Sequence, residues 1–403
     1  MYQEWKGCRS HALPSSTSKG NRIMSRPAVL KALGGAAAAL LFAAGCSPGG
    51  DTGARGGTPP SASASGSSGP GPSASAPAAG EGRVTVAGTL TEGLRSPWGL
   101  AALPGGDLLV SSRDDRTVTR VDGRSGAKRS LGEVPGVVPG GEGGLMGLAV
   151  REGWVYAYLT AESDNRIVRM RYGGGAGDRL GAPEPVLTGI PKGTIHNGGR
   201  IAFGPDGMLY AGTGETGETG LAQDRASLGG KILRMTPEGR PAPGNPFADS
   251  VVYSYGHRNV QGIAWDAEGR LWAAEFGQNT WDELNLVEPG RNYGWPEVEG
   301  TAGKAGFVDP VAQWPTSEAS PSGIAWARGA VWMAGLRGER LWRIPLSGAE
   351  RSGEPEAFLG GEYGRLRTVL ADGAGGLWLV TSETDGRGTP ETGDDRILRL
   401  DVR

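Results

Sequence analysis

The sequence predicts an all-β fold, a six-bladed β-propeller, and three observations carry that prediction. One phrase recurs six times: glycine, a short apolar run, a polar turn rich in Gly or Asp, then an apolar run with an aromatic. The copies follow one another at about 45–60 residues, long for a four-stranded blade and therefore with loops added on one face. The repeats are all strands and no helical period, and a two-sheet sandwich gives no reason for six copies of one phrase.

Ahead of the repeats, Met1 to Ile23 has no periodicity and reads as an upstream extension, with Met24 as the start. Arg26 and Lys31 then precede an apolar run, Ala32 to Ala44, which ends at Gly45-Cys46. This is the order of a secretory signal, too short to span a bilayer as a permanent helix. The ending Ala43-Ala44-Gly45-Cys46 resembles a bacterial lipobox, which implies a diacylglyceryl thioether on Cys46. An ordinary signal peptide that ends near a cysteine is the alternative. Residues 47–82 are almost wholly Gly, Ser, Ala, Pro and Thr and read as a disordered tether, because nothing in them offsets the entropy of ordering. The propeller domain is expected over 83–403. It has no cysteine, so burial alone must hold it, and a net charge of -2 argues against a nucleic-acid partner.

Within the domain the six copies begin at Trp98-Gly99-Leu100-Ala101, Gly147-Leu148-Ala149, Ile201-Ala202-Phe203, Gly262-Ile263-Ala264-Trp265, Gly323-Ile324-Ala325-Trp326 and Val369-Leu370. Most are followed by a third strand in which Arg alternates with apolar residues, as in Ile167-Val168-Arg169-Met170 and Ile397-Leu398-Arg399-Leu400. The third copy is the clearest hairpin, since Gly-Pro-Asp-Gly separates Phe203 from Met208. Val84–Leu90 is expected to pair with the C-terminal blade, because an open ring would leave an unpaired edge. The longest insertions are expected around Gly214–Ser227 and between Asn279 and Ser322. The loops around Gly214–Ser227 and Lys304–Pro321 are expected to shape a substrate pocket.

Four constellations sit where repeats begin or end. They are Thr194-Ile195-His196-Asn197-Gly198-Gly199-Arg200; Tyr255-Gly256-His257-Arg258-Asn259-Val260-Gln261-Gly262; Glu275-Phe276-Gly277-Gln278 with Asp282-Glu283-Leu284-Asn285 and Asn292-Tyr293-Gly294-Trp295-Pro296; and the arginines Arg337, Arg365 and Arg367. Any one is a weak signal. Together, in this order on a six-repeat background, they resemble the soluble quinoprotein glucose/sorbosone dehydrogenases, aldose dehydrogenases that use pyrroloquinoline quinone, across essentially all of 83–403.

The resemblance implies roles. His196 matches the general base that takes the proton of the sugar's anomeric hydroxyl while hydride leaves for the quinone, a task suited to imidazole. His257 is expected to orient its loop. Arg258 and Asn259 match the pair on the quinone carbonyls, and Arg337, Arg365 and Arg367 the cations over its three carboxylates. Glu142 falls where the family usually has glutamine, and an anion beside a tricarboxylate requires protonation or pairing. Calcium is implied at the carbonyls of Gly277 and Gln278, with Gln278 in place of a proline whose fixed φ is lost. Glu283 and the carbonyl of Tyr293 resemble a second calcium site, and a loop ion pair and a turn residue explain them equally well. The implied partners are an aldose and an electron acceptor outside the cytoplasm, with membrane attachment only through the lipid anchor. Two other functions fit the fold, a calcium-dependent lactonase and a propeller that binds glycans or peptides; neither accounts for the arginines and His196 together.

Overall fold

In a computed structural model of the chain, residues 81–174 and 178–403 are described. The expected signal peptide, Cys46 and nearly all of the expected 47–82 tether lie outside the described residues. Six antiparallel sheets follow one another around a ring. Their innermost strands are Pro97–Ala102, Leu145–Arg151, Ile201–Phe203, Val260–Trp265, Pro321–Ala327 and Leu366–Ala371, each neighbouring the next. Each starts one copy of the repeated phrase, so the phrase marks the first hairpin of a blade.

Five sheets have four strands, and the fifth has five because its outer edge is split into Glu350–Arg351 and Glu356–Phe358, both on Arg340–Ser347. That split departs from the expectation of four strands in every blade. Ring closure is as expected: Val84–Thr91 pairs antiparallel with Ile397–Val402, from Val84 opposite Val402 to Thr91 opposite Ile397. The insertion expected between Asn279 and Ser322 is interrupted, since Trp281–Val287 and Ala312–Pro315 are strands of the fourth blade. The sequence there lacks the Arg alternation of the other third strands, which hid Trp281–Val287.

Six apolar clusters form the core, one between each pair of adjacent blades. Blade faces are covered on both sides, which is why Leu108–Ser112 and Leu377–Thr381 are buried at every position. Outer strands need only one inward residue: Leu131 is the single buried position of Lys128–Glu133. Trp98, Trp272 and Trp332 fill the wider gaps, each nearly inaccessible.

Antiparallel blades place two kinds of loop at one end of the ring: those leading into each innermost strand, and those joining second to third strands. His196, Arg258 and Ser320 come from the first kind; Arg113, Gly277 and Asp385 come from the second.

Candidate active site

At that loop end the structure encloses a cavity of about 280 Å³. His196, Glu142, Arg258, Asn259, Arg337, Arg365, Arg367, Gly277 and Gln278 all line it, from five blades, Arg367 on a strand and the others on loops. Glu283 and Tyr293 do not line it.

His196 owes its place to backbone geometry. Its φ is +52°, and its N–H donates to Glu142 Oε2 at 2.8 Å. Two residues on, Gly198 has φ +63°, and a Cβ there would lie 2.4 Å from Thr213 Cα, so this close approach admits only glycine. The ring's Nδ1 is held by a carboxylate oxygen of Glu215, which is 1% exposed. A carboxylate on Nδ1 fixes the proton there and leaves Nε2 with its lone pair and no protein partner. Sequence reading missed Glu215; its signal was a carboxylate three residues past Leu209–Gly212, the strand that pairs with the one following His196.

Glu142 is ionised and paired. Burial works to raise its pKa, but the His196 amide and the Arg387 guanidinium, 2.7 Å away, outweigh burial and hold its carboxyl below the usual range. Arg387 also lines the cavity and was not foreseen.

Arg365 and Arg367 reach the cavity as expected, yet share a carboxylate oxygen, Asp385 Oδ2, at 3.0 and 2.8 Å. Arg367 also donates to Gln261 Oε1 at 3.1 Å. Burial pushes the Arg367 pKa down to about 10 despite Asp385. Burial would raise Asp385, but the two guanidinium groups draw its carboxyl down to about 2. Arg113 completes the group, bonding to Asp114 and to the Asp385 carbonyl. The lining holds six arginines (113, 258, 337, 365, 367 and 387) against three carboxylates (Glu142, Asp282 and Asp385), an excess of three positive charges. Several donors remain open among the described residues. Asn259 Oδ1 accepts from Gly198 N while Nδ2 has no protein acceptor, Arg258 uses only Nη1, on the Phe276 carbonyl, and Arg337 makes no ion pair or side-chain hydrogen bond.

The Gly277–Gln278 turn is shaped by Glu299, whose Oε1 accepts the amides of Gln278, Asn279, Thr280 and Trp281 at 2.7–3.2 Å. Asp282 takes the Gly277 amide at 2.9 Å. With the amides turned to these carboxylates, the carbonyls of Gly277 and Gln278 have no protein donor among the described residues. Glu283 lies deeper: its oxygens accept from Gly300 N and Asn285 Nδ2, and burial followed by the charge of Glu275 pushes its carboxyl up to about 8. Tyr293 stacks on His257 at 4.6 Å. His257 itself is fully buried between Ser254 and Glu275, a position that orients its loop. No group of three or more His, Cys, Asp or Glu side chains among the described residues is arranged to hold a metal.

The two loops expected to shape a pocket contribute little to this cavity: only Thr316 and Ser320 line it, and nothing from 216–227 does. The latter loop is drawn down by Lys231, whose Nζ donates to the carbonyls of Leu221, Ala222 and Gly229 at 2.6–3.1 Å.

Comparison with known proteins accords with this geometry. The chain belongs to the glucose/sorbosone dehydrogenase family, whose model matches residues 94–398, and is thus an oxidoreductase of the sugar dehydrogenase class. Among solved structures it is similar to the pyrroloquinoline-quinone-bound aldose sugar dehydrogenase of Streptomyces coelicolor, with 68% identity and a TM-score of 0.79 over 81% of this chain and 99% of that one. It is 27% identical over 336 residues to an aldose sugar dehydrogenase of Escherichia coli, covering 74% of this chain and 90% of the relative. It is 30% identical over 253 residues to quinoprotein glucose dehydrogenase B of Acinetobacter calcoaceticus, covering 53% of each.

Proposed function

We propose that this chain is a quinoprotein that oxidises an aldose at its anomeric carbon to the lactone, with pyrroloquinoline quinone as electron acceptor and His196 as general base. The observation that carries this reading is the threefold positive excess in the cavity that presents Nε2 of His196. A tricarboxylate quinone matches that excess charge for charge, and the open donors of Arg258, Asn259 and Arg337 suit its carbonyl and carboxylate oxygens.

When bound, the quinone supplies the two-electron sink for the hydride that leaves C1 of the sugar. The chain's own residues handle the proton. Nε2 of His196 accepts it from the anomeric hydroxyl, and Glu215 on Nδ1 stabilises the imidazolium that results. Glu142 fixes the backbone that aims the ring. Arg258 offers its free Nη2 where negative oxygen develops.

The carbonyls of Gly277 and Gln278 suit a calcium ion, since a hard cation takes oxygen ligands that no amide already occupies. Glu283 with the Tyr293 carbonyl is proposed as a second calcium site. The buried acceptor Asn285 Oδ1 has no partner there, and two carboxylates lie beside it. Cys46 is proposed as a lipid anchor and 47–82 as a tether, of which only 81 and 82 are described and Gly82 is already joined to the ring through Glu356, so that electrons leave to an acceptor outside the cytoplasm.

The test is reconstitution of the purified 83–403 domain with quinone and calcium, followed by dye reduction with a panel of aldoses. Saturable, calcium-dependent turnover with an aldose and lactone as product is expected. Quinone binding without turnover on any aldose would refute the assigned reaction.

A further inference from the structure

The channel has a second mouth, at the end away from the loops. There the innermost strands of all six blades enclose a vestibule of about 260 Å³. Most of its lining side chains are apolar, among them Leu100, Leu148, Phe203, Ile324 and Leu370, and among the described residues its one ionisable lining residue is Arg200.

Arg200 is 7% exposed and has no carboxylate partner. Its Nε donates to the Gln261 carbonyl at 2.7 Å and its Nη2 to Thr368 Oγ1 at 3.0 Å, both neutral acceptors. The guanidinium stacks on Trp98, 4.4 Å from the ring centroid. Trp98 lines the cavity above and Arg200 the vestibule below, so the pair forms the partition between the two. Nη1 makes no hydrogen bond among the described residues. Burial depresses the Arg200 pKa to about 9, and the positive charge of Arg367 adds to that depression. Asp385, which balances Arg365 and Arg367, makes no contact with Arg200.

A buried cation with only neutral partners and an open N–H is incomplete. We infer that the vestibule binds a small monovalent anion, a halide or a short carboxylate, on Nη1 of Arg200. A single guanidinium balances one negative charge, and walls of mostly apolar side chains disfavour a strongly hydrated dianion. The same walls keep the local dielectric low and so strengthen the attraction. This site is independent of the quinone reading, since the anion would sit on Nη1 of Arg200, on the other side of Trp98 from the cavity.

The probe is bromide. Crystals of the domain grown in isethionate, a sulfonate, and soaked in sodium bromide should show an anomalous peak beside Nη1 of Arg200. In solution, replacing isethionate by bromide at equal ionic strength should raise Tm by about 2 °C at tenfold excess over Kd. Both effects should vanish in Arg200→Met. Should that variant fail to fold, Ala202→Leu, on the vestibule wall, fills the space and keeps Arg200; it should lose the peak as well. Loss of the bromide peak on adding benzoate would identify a carboxylate site, and its persistence a halide site; each supports the inference. An empty vestibule in bromide, or an equal gain in Tm for Arg200→Met, overturns it.

Discussion

The main-chain N–H of His196 donates to Oε2 of Glu142 at 2.8 Å. A side chain from the loop between the first two blades thereby holds a left-handed backbone turn between the second and third. Glu142→Ala should lower kcat about tenfold, the usual worth of a charged hydrogen bond at the low end. Glu142→Gln keeps an acceptor and should recover most of the loss. Steady-state kinetics on the reconstituted domain decides this; equal activity in Glu142→Ala and the parent would remove the positioning role.

His196→Ala should still bind quinone, and its turnover should fall by about 10²–10⁴. Glu215→Gln should lose nearly as much, because it removes the charge that stabilises the imidazolium. The two changes act on one unit, so the double variant should be little worse than His196→Ala alone. Additive losses in a double-mutant cycle would separate the two residues.

The arginines divide into two kinds. Arg337 is exposed and unpaired, so Arg337→Ala should weaken quinone binding about ten- to a hundredfold and leave Tm unchanged. Arg367 is 5% exposed and holds both Asp385 and Gln261, so Arg367→Ala should cost a similar factor in binding and also about 1–3 kcal/mol of stability. Quinone titration beside urea unfolding distinguishes them, and a stability loss in Arg337→Ala would contradict its free state.

Asp385 makes the fold acid-sensitive. Its folded pKa of about 2 lies below the value near 3.9 expected in the unfolded chain. A depressed carboxyl contributes its stability in full above the unfolded value and loses it as pH falls through the folded one. About 2 kcal/mol should therefore disappear between pH 4 and pH 2. Asp385→Asn should be less stable at pH 5 and show a shallower slope over that window. Parallel slopes in urea unfolding would assign the acid loss to other groups.

The ring was legible in the sequence because its signal is local. Each Gly-apolar-turn-apolar phrase is one hairpin, and six of them leave little choice of architecture. The fifth blade's split edge was not legible, since Glu350–Arg351 and Glu356–Phe358 are too short to carry a pattern. The cavity's main residues were readable for a different reason: Gly-His-Arg-Asn and His-Asn-Gly-Gly-Arg are compact motifs. Their partners were hidden by distance along the chain. Arg387 meets Glu142 across 245 residues, and Asp385 meets Arg367 across 18 with nothing in its own surroundings to mark it. Charge pairing is a three-dimensional fact, and single residues such as Glu215 gain meaning only when the fold turns them toward a partner.

The seam between Val84–Thr91 and Ile397–Val402 closes the sheet that also carries Arg365, Arg367 and Asp385. Because Val84 faces Val402, a force applied at Arg83 and Arg403 peels the seam one residue pair at a time and does not shear it all at once. An anionic molecule on the two arginines would tie the innermost strand of that sheet, Leu366–Ala371, to the loops of the other blades that line the cavity. Quinone loading is therefore expected to raise the pulling force at which the sixth blade opens, and optical-trap extension of the domain with and without quinone would register that difference directly.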